Sequence, residues 1–313
     1  MSPKVAVVIP VFNRPDAVCR AISSVLAQTC RDYEVVVVDD GSTDHTAEAV
    51  VAIRDDRIRL IRHGRNRGGG AARNTGIQST MAPLVAFLDS DDEWMPAKLE
   101  RQLEAFERSS EDVALVYAGV ERIDADGHAA IDIPRPHPDL ASRLLVQNVV
   151  GETSVPMVRR SALEQVGGFD EELPASQDMD LWLRICEPFR AIVVPEVLVR
   201  VRKGNDSSRI SINIKAGLAG RELFRRKHRE KLVAHGVLHQ HLRETGWLCL
   251  RGGRDVRQAR RYFLSSLKAN PTAPLSYLLV VVAYLPMSCL DFFARCKQSF
   301  TSSRRVRQRA WAS

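Results

Sequence analysis

Several features that would assign this sequence to a simple class of protein are missing. Its 313 residues contain no low-complexity tract, and no unbroken apolar run reaches the roughly 20 residues that a membrane-spanning helix needs. The six cysteines show neither close pairing nor metal-ligand spacing, which favours reduced thiols and a cytosolic active site. A strand pattern begins at Val5 behind a single cation, Lys4, so we expect no signal peptide. An ordinary folded protein remains, large enough for one domain with an appendage or for two domains.

Charge is divided unevenly along the chain. The formal net charge of +7 combines a net of +15 in residues 214–313 with a net of −8 in residues 1–213. A basic tail of this kind can bind nucleic acid or an anionic membrane face, or simply form a solvated helix surface.

The first half of the chain alternates strand and helix patterns. Strands are predicted at Val5–Val11, Tyr33–Val38, Arg57–Arg62 and Leu84–Leu88, and helices at Pro15–Gln28, from about Thr43 towards Ile53, and at Gly69–Ser79. Right-handed crossovers assemble such a series into a doubly wound parallel sheet. The patterns that follow are mixed, with a strand near Ala191–Val201 interrupted by Pro195, and indicate one bipartite domain that ends near residue 213.

An acidic cluster follows the fourth predicted strand. Asp89, Asp91 and Asp92 stand where Leu84–Leu88 ends, and ligands of open α/β sheets bind beyond the carboxyl ends of strands. Crowded carboxylates favour a hard divalent cation, Mg2+ or Mn2+, that bridges to substrate phosphates. The alternative is a solvated acidic turn that caps the next helix.

Two more candidate binding segments lie at the ends of predicted strands. Pro10 and Phe12 close the first strand in a loop suited to presenting an aromatic face to a planar base. Asp39 and Asp40 close the second, where a carboxylate can accept hydrogen bonds from a base or a ribose.

Glycine-rich segments open two predicted helices. Asn66–Gly76, NRGGGAARNTG, combines three glycines, a helix start and Arg73, a combination suited to a diphosphate. It is neither a Walker loop nor a GxGxxG fingerprint, and taken alone it is equally typical of a loop with a helix cap. Gly167–Ile185, GGFDEELPASQDMDLWLRI, places Asp178 and Asp180 at the start of an amphipathic helix, after a loop that could line a cleft.

These five segments, in this order, resemble the family 2 glycosyltransferases of GT-A fold, over roughly Val5–Arg202. The resemblance implies transfer of a sugar from a nucleoside diphosphate sugar, most often a UDP-sugar, to an acceptor hydroxyl, with inversion and a divalent cation. It assigns the donor half to residues 1–113 and the catalytic and acceptor half to residues 114–213. The implied site residues are Pro10 and Phe12 beside the nucleobase, Asp40 on the base, Arg73 on the nucleotide, Asp89 near the ribose, Asp91 on the metal and Asp178 as catalytic base.

One departure from the family pattern concerns the last predicted strand. Many members carry a histidine there that helps to hold the metal or diphosphate, whereas this chain has Arg202 and Lys203. Either cation could contact diphosphate, but neither could ligate a metal.

The basic appendage, residues 214–313, is expected to be mainly helical. It contains one tetratricopeptide-like helix at Asp255–Asn270, too few repeats for a solenoid, and an apolar segment at Leu275–Ala294 followed by arginines. That segment could lie on an anionic cytoplasmic membrane face, close the domain as a buried helix, or span a bilayer. The first alternative predicts a cytoplasmic protein, peripheral on the inner face of the cell membrane, with a glycan or lipid-linked acceptor.

Two other functional classes remain open. A phosphotransferase of the haloacid dehalogenase type also places DxD after a strand, but that hypothesis leaves the other four segments unexplained. A catalytically weak nucleotide-sugar-binding scaffold at the membrane would use the same binding residues without turnover. Carboxylates at both the metal and the base positions favour the enzyme, acting in envelope or extracellular polysaccharide or glycolipid synthesis, and we expect no nucleic acid partner.

Overall fold

A computed structural model describes residues 3–202, 214–250 and 255–284 of the chain. The described residues group into two compact units. The first unit comprises residues 3–141, 148–172 and 177–202, and the second comprises residues 142–147, 173–176, 214–250 and 255–284.

The first unit is built on a nine-stranded mixed sheet in the order β3-β2-β1-β4-β8-β6-β9-β5, with β7 paired to β6. The strands are β1 (Val5–Val11), β2 (Tyr33–Asp39), β3 (Ile58–Arg62), β4 (Leu84–Phe87), β5 (Asp92–Trp94), β6 (Val113–Ile123), β7 (Ala129–Asp132), β8 (Met157–Arg159) and β9 (Arg190–Arg202). Strands β3, β2, β1 and β4 are mutually parallel, as are β6 and β9. Buried, valine-rich strands such as β1 and β2 are typical of a sheet covered on both faces.

Seven helices precede residue 190. They are α1 (Pro15–Leu26), α2 (Thr46–Val51), α3 (Gly69–Gln78), α4 (Lys98–Glu107), α5 (Leu140–Leu144), α6 (Arg160–Val166) and α7 (Gln177–Cys186). Helix α3 approaches the sheet closely at Gly76, where an added Cβ would lie 2.2 Å from Cγ1 of Val8. The expected mostly parallel α/β sheet with helices is confirmed, and the four predicted strands of the first half are found within a residue or two of their predicted bounds.

Strand β9 runs without interruption through Pro195. Its pairing with β6 jumps from Ala118 opposite Val194 to Gly119 opposite Val197, so two residues bulge out of the ladder. An added Cβ at Gly119 would lie 2.8 Å from the carbonyl oxygen of Glu196, which explains why glycine suits the bulge. The expected break in the strand is therefore a bulge that lets a proline sit in a paired strand.

Three elements are missing from the sequence-based prediction: α4, β5 and β7. Strand β5 consists of Asp92, Glu93 and Trp94, so it lies inside the segment that was interpreted as an acidic turn. It pairs antiparallel with β9, with Asp92 opposite Val201. A polar segment of three residues is too short to show the alternation of apolar and polar residues that identifies a strand. This strand forms only because it pairs with β9, which is far away in the sequence.

The second unit is helical, as expected for the appendage. Its helices are α8 (Ile214–Lys227), α9 (Arg229–Ala234), α10 (Leu238–Leu248), α11 (Val256–Ala269) and α12 (Pro274–Val282). Its core includes Trp247, Phe263, Leu279 and Val282. Among residues 3–202, 214–250 and 255–284, no helix combines the length and apolarity needed to cross a bilayer. The predicted segment Leu275–Ala294 is described only as far as residue 284, and its remainder lies outside the described residues.

Candidate active site

The candidate site lies where three neighbouring parallel strands end. Val11 of β1 pairs with Asp39 of β2, and the backbone N–H of Asp40 donates to Val11 O at 2.8 Å. On the other side of β1, Leu88 N donates to Val8 O just before the acidic turn. The loops that follow β1, β2 and β4 therefore leave the sheet at one edge, where open α/β sheets bind ligands.

Asn13 joins the loop after β1 to the loop after β2. Its backbone N–H donates to Ser42 Oγ at 2.9 Å, and its side-chain Oδ1 accepts from Thr43 N at 2.9 Å. Asn13 has a φ of 52°, a left-handed conformation that asparagine tolerates better than most residues. Beside it, the Phe12 side chain is 40% exposed, whereas Pro10 is buried inside β1. An aromatic face is thus open to a planar ligand at this edge.

Asp40 organises the start of the glycine-rich segment. Its Oδ1 accepts from Arg67 N at 2.9 Å and its Oδ2 from Gly68 N at 2.7 Å, so the carboxylate binds the backbone directly before α3. His63 adds a hydrogen bond from Nδ1 to Asp40 Oδ1 at 2.6 Å, and its Nε2 lies 2.9 Å from Thr75 Oγ1. A nucleobase at Asp40 would use lone pairs that these donors leave available.

Gly68 precedes α3 with a φ of 93°, a conformation that favours glycine. The three glycines then keep the N-terminus of α3 free of side chains. At Gly70, an added Cβ would lie 2.9 Å from Nε2 of Gln177, the first residue of α7. The glycine-rich segment therefore brings the start of α3 close to the start of α7, the helix that carries Asp178.

Arg73 and Asp89 form an ion pair within the site. Nη2 of Arg73 donates to Asp89 Oδ1 at 2.5 Å, and the guanidinium carbon lies 5.4 Å from the ring centroid of Phe169. Within the part of the chain that the structure describes, Nε of Arg73 is buried without a hydrogen-bond partner. The pair places a cation next to a carboxylate at the end of β4, beside the ring of Phe169.

The other two aspartates of the acidic cluster have different surroundings. Asp91 is partly exposed and pairs with Arg14, whose Nη1 donates to Oδ2 at 2.8 Å. Asp92 is buried in β5 and accepts from Ser154 Oγ at 2.7 Å, while the same hydroxyl accepts from Asp89 N at 3.0 Å. Burial, together with the charges of Asp89 and Asp91, raises the pKa of Asp92 well above its ordinary value. Crowding of negative charge is therefore present here, and together with burial it disfavours the ionised form of Asp92.

Asp178, the predicted base, is the second residue of α7. Its Oδ1 accepts from Met179 N at 2.8 Å and its Oδ2 from Asn148 Nδ2 at 2.8 Å. Burial raises the pKa of Asp178 to about 6, and the charges of Glu152 and Asp89 add to the rise while Met179 N–H and Arg73 oppose it. The structure thus brings Asp178 into electrostatic range of the Arg73–Asp89 pair. A carboxylate with this pKa is ionised at neutral pH and is a stronger base than an exposed aspartate.

Asn74 and Arg184 shape the GGFDE loop before α7. Asn74 Oδ1 accepts from Phe169 N at 2.8 Å, and its Nδ2 donates to Phe169 O at 2.9 Å. Arg184 donates to Val166 O and, at 2.8 Å, to the buried carboxylate of Asp180. Asp180 therefore stabilises the helix and its preceding loop.

The two predicted diphosphate contacts are Arg202, the last residue of β9, and Lys203. Arg202 ends β9 and pairs with Glu93 of β5 at 2.7 Å, and Lys203 lies outside the described residues. Among the described residues, the ligand atoms of Asp124, Asp126 and His128 are close enough together to hold a metal ion. These exposed side chains belong to the turn between β6 and β7, where Asp124 Oδ1 already accepts from the backbone N–H groups of the other two.

Sequence reasoning missed several residues that build the site. They are Arg14, His63, Asn74, Asn148 and Ser154. Arg14 directly follows a segment that had been singled out, and Asn74 lies within another, so proximity to a motif was a usable signal for both. His63, Asn148 and Ser154 lie outside the five segments, and a lone polar residue in a loop carries no such signal.

Comparisons of the sequence with protein-family models and with curated proteins agree with each other. The protein-family model described as "Glycosyl transferase family 2" matches residues 6–167. The Rhizobium meliloti protein named "Succinoglycan biosynthesis protein ExoO" is 32% identical over 255 residues, which cover 77% of this chain and 73% of that protein. Seven other curated relatives are described as uncharacterized glycosyltransferases. The chain spans 27% to 64% of the length of six of them, and 82% of the length of the seventh, from Methanocaldococcus jannaschii.

Two solved structures have a similar fold. A mannosyltransferase from Pyrobaculum calidifontis in complex with GDP-Man and Mn2+ superposes with a TM-score of 0.58 at 21% identity, covering 90% of this chain and 79% of that one. Residues 1–349 of S. aureus TarS, in complex with UDP-GlcNAc, superpose with a TM-score of 0.55 at 17% identity, covering 93% and 92%. At these identities the likeness establishes the expected GT-A fold.

Proposed function

Because this chain belongs to glycosyl transferase family 2, we propose that it transfers a sugar from a nucleoside diphosphate sugar to an acceptor hydroxyl, with inversion at the anomeric carbon. The observation that carries the proposal is Asp178, whose pKa is raised to about 6 within electrostatic range of Arg73 and Asp89. Direct displacement needs one base and one stabilised leaving group. Asp178 supplies the base, and Arg73 supplies the positive charge that stabilises the departing diphosphate.

The donor lies at the strand-end edge in this proposal. Phe12 stacks on the nucleobase, whereas Pro10, which is buried inside β1, offers the base little exposed surface. Asp40 accepts from the base edge while it organises the backbone before α3. Asp89 lies near the ribose. Arg73 contacts the diphosphate with its guanidinium, where it stabilises the negative charge that develops as the sugar leaves. Arg202 and Lys203 are proposed as further diphosphate contacts, and for Arg202 this requires sharing with Glu93.

The acidic cluster fits a divalent cation, Mg2+ or Mn2+. Asp91 is partly exposed and offers carboxylate oxygens, and a cation bound there would relieve the crowding of negative charge among Asp89, Asp91 and Asp92. We assign Asp91 as the ligand, with Arg14 as its partner in the absence of metal. When bound, the cation would neutralise charge on the departing diphosphate.

The acceptor is deprotonated by Asp178. A sugar or lipid hydroxyl is far too weak an acid to ionise unaided, so the carboxylate takes its proton as the oxygen bonds to the anomeric carbon and the diphosphate departs from the opposite face. No covalent glycosyl intermediate is required. Asp178 ends the step protonated, and it then loses that proton to solvent.

Residues 1–213 form the catalytic domain in this proposal, with the donor half in 1–113 and the acceptor half in 114–213, and residues 214–313 form an appendage. A UDP-sugar donor is supported by the similarity to TarS, whose structure is in complex with UDP-GlcNAc. A role in envelope or extracellular polysaccharide or glycolipid synthesis is supported by the name of the Rhizobium relative. We therefore propose a glycan or lipid-linked acceptor.

Attachment to an anionic membrane face is proposed for α12 and the basic residues that follow it in the sequence. One side of α12 buries Leu279 and Val282, whereas Tyr277, Leu278 and Val281 on the other side are each more than half exposed. No charged residue occurs from Pro271 to Tyr284, and six Lys or Arg follow by residue 309. An apolar face beside cations suits the cytoplasmic leaflet. Co-sedimentation with anionic vesicles, and its loss with neutral vesicles, tests this attachment.

Replacement of the base tests the proposed reaction. With radiolabelled nucleotide sugars and Mn2+, Asp178→Asn should abolish transfer while donor binding by calorimetry stays within about twofold. Asp126→Asn, which changes an exposed aspartate in the β6–β7 turn, is the matched control and should transfer normally. Loss of donor binding in Asp178→Asn would mean that the base is misassigned. Tight nucleotide binding without transfer or hydrolysis of any donor by the unsubstituted protein would favour a scaffold.

A further inference from the structure

Asn148 contacts the carboxylate of Asp178 from a segment that no motif had singled out. It lies between α5 and β8, 30 residues before Asp178 in the sequence. Its Nδ2 donates to Asp178 Oδ2 at 2.8 Å and to Gly151 O at 2.8 Å. Its Oδ1 accepts from Gly151 N at 3.1 Å.

The backbone of Gly151 determines which way the Asn148 amide faces. Since Oδ1 accepts an N–H and Nδ2 donates to a carbonyl of the same residue, a flipped amide would set two acceptors together and two donors together. Gly151 has a φ of 110°, so a glycine is needed for this turn. Asn148 therefore always presents a donor, never an acceptor, to Asp178.

The charges around Asp178 show why a neutral donor matters there. Arg73 is the cation that favours the ionised carboxylate, whereas Glu152 and Asp89 disfavour it, in addition to burial. Glu152 is itself bound by Arg122, with hydrogen bonds of 2.7 and 2.8 Å. Met179 N–H binds Oδ1, which leaves Oδ2 to be stabilised by Asn148. A charge-assisted hydrogen bond of this kind favours the anion without adding a positive charge that would make the base weaker still.

We propose that Asn148 is a positioning residue for the catalytic base: its amide orients the carboxylate of Asp178 towards the acceptor and keeps it ionised. The proposal rests on the proposed function, since it needs Asp178 to act as the base. Asn148 is then a second residue, besides Asp178, that determines how transfer depends on pH.

Two substitutions separate this role from a merely structural one. Asn148→Asp replaces the donor with a second carboxylate, and should raise the pKa of Asp178 by about one unit or more. Asn148→Ala removes the donor without adding charge, and should raise that pKa by a smaller amount. Asn270→Asp is the matched control, because Asn270 also binds a neighbouring backbone N–H, that of Thr272. It should leave the titration of Asp178 unchanged.

The titration is read directly by NMR of protein labelled with 13C at the aspartate carboxyl carbons, with the Asp178 signal assigned from Asp178→Asn. In parallel, the acid limb of kcat/KM for transfer should move to higher pH by the same amount as the NMR titration. For Asn148→Asp we expect a rate about fivefold lower at pH 6 and about tenfold lower at pH 5, recovery at higher pH, and an unchanged donor KM.

Three results would overturn the positioning role. The first is that the NMR titration of Asp178 stays unchanged in both folded variants. The second is a loss of kcat/KM that is the same at every pH. The third is a shifted NMR titration of Asp178 without a shift in the pH profile of kcat/KM. None of these contradicts the transferase itself. Absence of transfer by the unsubstituted protein with every donor would instead overturn the proposed function, and the positioning role with it.

Discussion

Arg14 and Asp91 form an ion pair in which Nη1 of the arginine lies 2.8 Å from Oδ2 of the aspartate. Arg14 follows β1 and Asp91 follows β4, so the pair joins two of the loops at the strand-end edge. The side chains are only 18% and 20% exposed, which limits screening by solvent. A guanidinium therefore competes for the carboxylate that we propose as the metal ligand.

Removal of this competing cation should strengthen metal binding. We predict that Arg14→Gln lowers the dissociation constant for Mn2+ by about three- to tenfold, because a partly buried ion pair no longer has to be broken or shared. Electron paramagnetic resonance of free Mn2+ during titration measures this without any turnover. Arg67→Gln is a suitable control, since Arg67 pairs with Glu171 on an exposed surface. Asp91→Ala should weaken Mn2+ binding, and an unchanged affinity in that variant would refute the ligand assignment.

Asp178 should give transfer an acid limb near pH 6. Its folded pKa of about 6 means that the base becomes protonated as the pH falls through that value, so log kcat/KM should drop by about one for each pH unit below it. Initial rates between pH 4.5 and 8.5 with a saturating metal concentration test this. A limb near pH 4, the ordinary range of an aspartate, would contradict the raised pKa of this half-buried carboxylate.

The same ionisation has a predictable effect on stability. Because the folded pKa is raised, the folded state binds this proton more readily than the unfolded chain, and ionised Asp178 lowers stability above pH 6. Asp178→Asn should therefore raise the free energy of unfolding at pH 8 by about 1–2 kcal/mol, and the gain should fade as the pH falls towards 4. Urea unfolding at three pH values provides the measurement, and a gain that does not depend on pH would contradict this origin.

Lys98 is a buried amine that should lower the stability of the fold. Its Nζ has no hydrogen-bond partner among the described residues and lies 3.7 Å from the ring centroid of Trp94. Burial lowers the pKa of Lys98 well below its ordinary value, so the unfolded chain binds a proton that the folded state does not. Stability should therefore rise with pH from the lowered pKa up to about 10.4, the ordinary value for lysine.

Lys98→Met should raise the free energy of unfolding at pH 7 by about 1–3 kcal/mol, since it keeps the volume and removes the unpaired amine. The advantage should shrink at pH 9.5. Chemical denaturation at both pH values measures it, with the exposed Lys4→Met as the control. Equal destabilisation by Lys98→Met at both pH values would show instead that a charged ammonium is stabilised by Trp94.

Much of the fold could be predicted from the sequence because its signals are local. Buried parallel strands such as β1 are continuous apolar runs, and helices such as α1 have apolar residues at helical spacing, so type and order follow from period alone. Strand β5 and the bulge at Pro195 could not be predicted, because each exists only through pairing with a strand far away in the sequence. A polar three-residue segment has no period that would identify it.

The candidate site shows the same difference between what local sequence predicts and what contacts between distant segments decide. The sequence by itself determined which residues end the strands: Asp40, Asp89 and Asp91 are placed by the rule that open sheets carry ligands at their carboxyl edge. It could not determine what each carboxylate contacts. Arg14 meets Asp91 across 77 residues and Asn148 meets Asp178 across 30, and no local pattern encodes such distances.

Burial was decided only by the tertiary structure. Asp89, Asp91 and Asp92 are nearly adjacent in sequence, yet one pairs with Arg73, one with Arg14, and one is buried against Ser154 with a raised pKa. The side-chain pattern of the chain fixes where charge is concentrated. The packing of distant segments determines which of those charges water can reach, and hence which of them are paired and which have a raised pKa.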